Sequence, residues 1–293
     1  MKSAKTAIIS LAVAFLFALP FFQPTLHAQK NKKPTQPAPL LTRSTPRHEV
    51  HRLLFGGKLT ISGAPAGSIT IEGWERSEID ISAEIELHAA TEDDLNRLAA
   101  INNFIVDEDV NHIRILTTGT HDQKFLKKVA KNFPKSLIGL PWKIDYRIKV
   151  PAMTELEIDG GNGPINLAGV EGVISLNAME SDANLSLSGS LVSATIQRGT
   201  VNLTIPVRSW HGLGAEIRLA SGRMTIELMP GFSGDINAEV LRLGEIRNSF
   251  PETQPREPNS IGLRSIRARM GSGGATLSFT VGDGTIEIRQ SKQ

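Results

Sequence analysis

The chain from Thr154 onward is a succession of short segments in which every second residue is apolar, and this pattern limits the fold more than any other feature. Alternation with a turn about every ten residues predicts half-buried β-strands. Because the strand–turn unit recurs, each copy is expected to bury its apolar side against the next, as in repeat proteins. The first apolar pairs are Leu156/Ile158, Ile165/Leu167, Ile174/Leu176, Leu185/Leu187 and Leu203/Ile205.

The turns that open the repeating units align with one another. The first five lie 19, 17, 23 and 22 residues apart, and Gly or Asp at these positions suits a left-handed backbone. Residues 249–262 are rich in proline and predict a surface loop, after which the last strands are expected to close the repeat. The aligned dipeptides are Asn162-Gly163, Ser181-Asp182, Arg198-Gly199, Ser221-Gly222, Leu243-Gly244 and Asp283-Gly284.

Residues 1–28 have the pattern of a secretory signal peptide. Lys2 and Lys5 precede an apolar run over 7–22, and a small residue, Ala28, marks the expected cleavage point. An uncleaved anchor is the alternative, although sixteen apolar residues with an internal proline fall short of the roughly 20 that a span needs. The chain contains no cysteine, so a lipoprotein anchor and stabilising disulfides are both excluded.

Residues 29–47 are expected to be a disordered, basic and proline-rich linker. They hold five basic residues and no acidic one, a composition typical of unstructured segments. Without the signal and this linker the chain carries 25 basic and 30 acidic residues. This balance argues against nucleic-acid binding.

Residues 48–150 predict a β-rich part with one or two short helices, which precedes the repeat at 151–293. Thr91 followed by three acidic residues predicts a helix over about 91–101. The segment 121–142 has the appearance of a basic insertion, in which Phe125, Val129 and Phe133 lie on one face of a second helix over about 124–135. No clear boundary separates the two parts near residue 150.

The order of these features resembles the putative adhesin family of bacterial envelope proteins, a family of unknown molecular function. The most specific motifs are IEGW at 71–74, YRIKVP at 146–151 and the succession of Ser/Asn-Gly turns, and the resemblance covers about residues 50–290. It implies an all-β fold, a single-stranded, right-handed β-solenoid, and provides no catalytic residues. Ser181-Asp182 and Arg198-Gly199 depart from the family's usual Asn-Gly pair.

Three sequence features superficially indicate catalytic or metal sites. His48 and His51 are three residues apart in a predicted strand and should face opposite sides, whereas zinc-protease histidines need helical i, i+4 spacing. The glycine-rich segment 270–275 precedes a strand and therefore predicts a turn instead of a phosphate site. Glu155, Glu157 and Asp159 share the outer face of one strand, which is typical of a solvated surface but also compatible with calcium binding or glycoside chemistry. No cofactor is predicted.

Two groups of residues remain candidates for binding. Lys124, Lys127, Lys128 and Lys131 cover the predicted second helix and could meet an anionic membrane, or the helix could cap an end of the repeat. Trp210 and His211 lie in a loop and could contact a glycan, although packing of Trp210 beneath the loop is the favoured alternative. A surface of Ser, Thr and Asn side chains on the predicted strands suits glycan binding or ordinary solubility.

These observations favour an exported, non-enzymatic, adhesin-like or envelope-associated binding or scaffold protein. The alternatives are an envelope-stress accessory that binds an anionic membrane or peptide, and a carbohydrate-active enzyme built on a β-helix. The expected partner is an envelope or surface glycan, protein or anionic lipid, and no membrane span is expected after signal cleavage. The expected location is the periplasm, the outer membrane or the cell exterior.

Overall fold

A computed structural model describes residues 40–129, 132–251, 253–258 and 260–291, which belong to one compact all-β unit. The strands join in a 17-stranded mixed sheet, so the predicted all-β class is confirmed. The predicted signal peptide lies outside the described residues. The strands are β1 (Leu41–Arg52), β2 (Lys58–Ala66), β3 (Ile69–Trp74), β4 (Glu78–Ala89), β5 (Asn103–Asp109), β6 (His112–Thr118), β7 (Trp142–Pro151), β8 (Glu155–Asn162), β9 (Ile165–Ala168), β10 (Ile174–Ser186), β11 (Gly189–Ile205), β12 (His211–Leu228), β13 (Gly234–Val240), β14 (Gly244–Asn248), β15 (Thr253–Pro255), β16 (Ser265–Met270) and β17 (Thr276–Gln290). The helices are α1 (Glu92–Ala99) and α2 (Gln123–Val129), and a 3-10 turn follows at Lys135–Leu137.

Parallel pairing dominates the repeat. Strand β10 pairs with β8 and β9 on one side and with β11 on the other, and β11 pairs with β12. Strand β12 pairs with β17, which in turn pairs with β13 and β14. On the N-terminal side β2 and β3 continue the series by pairing with β8 and β9. We call this series, β2, β3, β8–β14 and β17, the parallel ladder.

The last strand does not close the ladder, which corrects the expectation from the sequence. Strand β17 lies inside it, between β12 and the pair β13 and β14, while the antiparallel β16 pairs with β13 at the end. The internal position of β17 buries its apolar side chains, since Leu277, Phe279 and Ile286 are fully inaccessible to solvent. An internal position also pairs both backbone edges of this 15-residue strand.

Most of the aligned dipeptides predicted from the sequence lie side by side, but Ser181-Asp182 is offset by one residue, because Glu180 and not Ser181 lies opposite Arg198. Ser181 is in register with Gly199, Gly199 with Gly222, Gly222 with Gly284, and Gly284 with Gly244. In β10, β11, β12 and β17 these positions lie within continuous strands and not in separate turns. At each of them the inward-facing register shifts by one residue. Each long strand therefore contributes a first half and a second half, whose outward residues we call the first face and the second face.

The core is a single cluster that extends from Leu53 to Ile288. Register places apolar residues of adjacent strands beside one another, as with Leu176, Ala194 and Ile217. The apolar side of each of these strands therefore lies in the core, as the alternation predicted. This burial replaces the missing disulfides as the source of stability.

Strand β1 corrects the predicted linker. Residues 41–47 were expected to be disordered, but β1 begins at Leu41 and pairs with β4 along its whole length. Two basic residues of the supposed linker have specific partners. Arg43 forms an ion pair with Glu92 at 2.6 Å, and the Arg47 guanidinium lies 4.1 Å from the centre of the Phe104 ring. The basic residues of this segment therefore hold β1 against its neighbours, whereas they were expected to favour a disordered linker.

Helix α1 agrees closely with its prediction. The Thr91 hydroxyl accepts a hydrogen bond from the backbone N–H of Asp94 at 3.2 Å, and Leu95 and Leu98 are buried. Helix α2 is shorter than the expected 124–135, because its described part ends at Val129 and Pro134 then begins the 3-10 turn.

Candidate functional site

The first face of the parallel ladder presents rows of polar side chains. Register aligns Glu157 with Ser175, Ser175 with Ser193, and Ser193 with Glu216. The same row continues through Ser278 to Asn237. Adjacent strands lie about 4.8 Å apart, so the row is a regular linear array of hydroxyl, carboxylate and amide groups. A second row, two residues further on, contains Asp159, Asn177, Thr195, Arg218, Thr280 and Glu239.

The second face contains a hydrogen-bonded ladder of asparagines. The Asn184 amide donates to the Asn166 side-chain oxygen at 2.9 Å, and Asn202 donates to Asn184 at the same distance. Asn166 in turn donates to the Thr70 hydroxyl at 3.3 Å. Since these amides satisfy one another, this part of the second face is better suited to stabilising the stack than to binding a ligand.

The acidic stripe of β8 lies outward, as the alternation predicted. Glu155, Glu157 and Asp159 are exposed, while Leu156 and Ile158 between them are buried. Lys58 of β2 bridges the stripe, because its Nζ atom lies 3.2 Å from Glu155 and 2.9 Å from Glu157.

The Lys58 bridge determines the protonation of Glu157. Its hydrogen bond to Glu157 lowers the pKa of this carboxyl group and raises the pKa of the Lys58 amine. A general acid in glycoside hydrolysis needs a raised pKa. Glu157 is therefore poorly suited to donate a proton at neutral pH.

A polar groove of about 780 Å³ lies at the end of the first face. It crosses β12, β17, β13, β16 and β15, and the segment after β15 forms one wall. Its charged lining consists of Arg256, Arg267, Arg269, Glu216, Glu239 and Glu257. Beside it, Asp235 is only 8% exposed and contacts Arg269 Nε at 3.3 Å.

Sequence reasoning overlooked this groove. The proline-rich segment after β14 was interpreted only as a loop, and the strand SIRARM only as a closing strand. Alternation along SIRARM could have indicated that Arg267 and Arg269 point outward. They lie opposite Asn237 and Asp235 of the antiparallel neighbour β13. The groove could not be predicted without knowing that β17 lies between β12 and β13, and no local sequence pattern indicates this order.

The basic insertion packs most of its described apolar residues inward, although Ile138 is exposed and Phe125 is half-buried. Leu137 and Trp142 belong to the core, and Phe133 and Leu140 pack against it. Lys124, Lys127 and Lys128 of α2 are exposed, whereas Lys131 lies outside the described residues. The segment thus covers part of the core, and its exposed basic groups remain a candidate anionic contact. Among the described residues, no helix has the length and apolar character needed to span a membrane.

Trp210 does not form an exposed platform for a glycan. It is 5% exposed, and its indole N–H donates to the Ser190 carbonyl at 3.0 Å, so the ring packs beneath the loop. This buried position agrees with packing beneath the loop, the alternative that the sequence favours, and argues against a glycan contact of the ring. His211 is exposed at the start of β12, and its role in glycan binding stays a prediction.

His48 and His51 face opposite sides of β1, as predicted. His48 contacts Asp80 at 3.0 Å, while His51 lies between Glu49 and Glu108. In the described ranges, no group of three or more potential ligand residues is arranged to hold a metal ion. These histidines therefore contribute to the surface pairing of β1.

No protein-family model and no curated protein matches the chain. Among solved structures, it is similar to a putative cell adhesion protein from Clostridium sporogenes, with 14% identity and a TM-score of 0.44 over 84% of this chain and 100% of the other. A putative adhesin from Bacteroides fragilis has 11% identity and a TM-score of 0.30 over 84% and 97% of the two chains. A putative lipid binding protein from Parabacteroides distasonis has 12% identity and a TM-score of 0.20 over the same shares. Two of these three solved structures are named as adhesion proteins, the class that the sequence motifs resemble.

Proposed function

We propose that the protein is an exported, non-enzymatic, adhesin-like binding protein of the bacterial envelope that uses the first face of a β-solenoid. The observation that carries the proposal is the polar row from Glu157 to Asn237, which continues in register across six parallel strands. Such an array offers repeated, evenly spaced hydrogen-bonding groups on an open surface. It favours an extended ligand that makes many weak contacts over a small substrate held in a closed pocket.

The winding into a single-stranded solenoid is part of this proposal. Support comes from the parallel pairing of β10, β11, β12 and β17 along both halves. It also comes from Gly199, Gly222 and Gly284, which lie in register where the two halves of each strand meet. Repeat architectures of this kind typically create extended binding surfaces.

The non-enzymatic character is also proposed on the basis of charge. Glu157, the most central acid of the stripe, forms an ion pair with Lys58 and has a lowered pKa. The pKa values of three other carboxyl groups are also lowered, and in each case hydrogen bonds stabilise the anion. These groups belong to Asp122, Asp145 and Asp283. Groups that remain ionised in this way support surface pairing rather than proton transfer.

Export and envelope location rest on the predicted signal peptide. The chain has no cysteine that an oxidising compartment could change. The stability of the fold therefore depends on packing in either kind of compartment. The expected sites of action are the periplasm, the outer membrane and the cell exterior.

Co-sedimentation of residues 29–293 with isolated envelope fractions tests the proposal. Peptidoglycan, outer-membrane vesicles and anionic liposomes would each be titrated at low and high salt, with heat-unfolded protein as the control. We expect saturable binding to one fraction that persists at high salt. Loss of all binding at high salt would contradict the proposal, since only general charge attraction would remain.

A further inference from the structure

The groove at the end of the first face is a built recess and not a flat continuation of the row. It crosses five neighbouring strands, which corresponds to a length of about 19 Å at the usual strand spacing. Its volume of about 780 Å³ falls within the roughly 300–1,000 Å³ typical of ligand sites. Unlike most such sites, its lining is predominantly polar, so a polar ligand is indicated.

The backbone of the groove fixes Arg267 in place. The Arg267 N–H donates to the Ser260 carbonyl at 2.7 Å, and the Arg267 carbonyl accepts from the Ser260 hydroxyl at 2.8 Å and from the Arg256 N–H at 3.1 Å. These three bonds connect β16 to the wall. Arg269 is held by Asp235 at 3.3 Å. The guanidinium of Arg267 and the carboxylate of Glu239, also in the lining, form no such side-chain contact with another described residue.

Donor and acceptor side chains of β13 and β16 lie opposite each other in the groove. Arg267 lies opposite Asn237 in register, and Glu239 lies opposite Ser265. The buried Oδ1 atom of Asn237 has no hydrogen-bond partner among the described residues. A buried acceptor left without a partner is costly, and a small movement of the amide toward a ligand hydroxyl would satisfy it.

The charges of the groove are balanced. Three arginines and three glutamates line it. Asp235 pairs with Arg269 and Arg256 beside it, and Arg218 pairs with Glu216. The four basic and four acidic groups leave no excess field to attract an anion or a cation. A ligand complementary to this lining has no net charge and carries many groups that both donate and accept hydrogen bonds. Hydroxyl groups meet both conditions. A peptide fits less well, since the groove provides no deep apolar pocket for side chains.

We propose that this groove binds an uncharged oligosaccharide, with hydroxyl groups held by Arg267, Glu239 and Asn237. The inference rests on the proposed binding function and specifies the chemical class of its ligand. Guanidinium and carboxylate groups can each bind two neighbouring hydroxyls, which provides orientation as well as affinity.

An array of uncharged oligosaccharides, uronic-acid oligosaccharides and acidic peptides tests the inference with the full protein. The Kd for the strongest uncharged binder is then measured at low and high salt. We expect Arg267→Gln and Glu239→Gln each to weaken binding about tenfold, with little effect of salt. The matched control is Arg223→Gln, which changes an exposed arginine of the second face and should leave the Kd unchanged.

Three outcomes would overturn the inference: binding of only the uronic-acid probes or the peptides, unchanged affinity in both groove variants, or no bound probe on the array. Circular dichroism checks that the variants fold, and both replaced side chains are exposed. Envelope co-sedimentation distinguishes the two proposals. If the protein binds an envelope fraction but no uncharged oligosaccharide, the proposed function stands and the groove assignment fails.

Discussion

A Cβ atom at Gly222 would lie 1.8 Å from the carbonyl oxygen of Gly199 on the adjacent strand. Gly222 also has a φ of +144°, a conformation that residues with a side chain rarely adopt. The same close approach recurs between Gly284 and Gly222 at 1.7 Å. The point where the two halves of these strands meet therefore requires glycine for two independent reasons, the backbone conformation and the lack of space for a side chain.

Replacing Gly222 with alanine should destabilise the protein by about 3 kcal/mol or more, because conformational strain and a backbone collision add. Chemical denaturation measures the effect. Gly231→Ala is the matched control: its φ is +73°, but no atom lies within 4 Å of the added methyl group. Its loss should be only about 1–2 kcal/mol. Equal losses in the two variants would show that close approach between strands is not what selects glycine.

The asparagine ladder should contribute measurable stability. Asn184→Ala removes both the bond that Asn184 donates to Asn166 and the bond that it accepts from Asn202. We expect a loss of about 1 kcal/mol, since the partners can still reach water. Asn177→Ala, at an exposed position of the first face, should have little effect on the denaturation midpoint. A ladder variant as stable as this control would show that the amide bonds contribute nothing net.

Tyr146 offers a pH test because it is the only tyrosine of the chain. Its side chain is fully buried and its hydroxyl contacts Thr117 Oγ1 at 2.9 Å. Burial raises the pKa of Tyr146 above its usual value. The folded state thus favours the neutral phenol, and the associated stability is complete below about pH 10, the usual pKa of tyrosine, and decreases above it. The ultraviolet phenolate band should consequently appear only together with unfolding.

Tyr146→Phe serves as the control for that titration. This variant should lack the phenolate band and lose stability less steeply at alkaline pH. A phenolate band that develops near pH 10 while circular dichroism remains native would contradict the buried position of the ring.

The lysines of α2 should be dispensable for specific envelope binding. Replacing Lys124, Lys127, Lys128 and Lys131 by glutamine should abolish salt-sensitive binding to anionic vesicles, because such binding depends on charge and Leu137 and Trp142 of this insertion are used in the core. Salt-resistant co-sedimentation with the specific envelope fraction should be unchanged. If that binding disappears instead, the basic segment, and not the first face, is the binding surface.

Local patterns in the sequence were sufficient to predict much of the fold. Alternation identified the strands, Thr91 marked the start of α1, and the aligned glycines correctly indicated which residues lie side by side. Long-range order was not predictable in this way: the sequence places β17 last, yet it pairs between β12 and β13. Alternation shows which side of β17 faces the core but does not specify its neighbours, which are set by pairing with residues distant in sequence.

The candidate sites were predicted less well than the strands. For Trp210 in the loop SWHGLG, the sequence favoured packing beneath the loop but left glycan contact open, and the ring is buried and hydrogen-bonded to Ser190. Residues 41–47 were assigned to a linker because of their prolines and basic charge, yet pairing with β4 and the contacts of Arg43 and Arg47 order them. In both cases partners distant in sequence determined the outcome.

Cross-linking across β17 tests the central claim most directly, because both the continuous first face and the groove depend on its internal position. The chain has no cysteine, so introduced pairs can be assigned without interference. In-register positions on adjacent strands are about 4.8 Å apart, within reach of a disulfide, whereas positions two strands apart are not. We predict rapid disulfide formation in Glu216→Cys/Ser278→Cys and in Asn237→Cys/Ser278→Cys, and none in Glu216→Cys/Asn237→Cys. A disulfide in the third variant without one in the first would place β12 directly beside β13 and contradict the account.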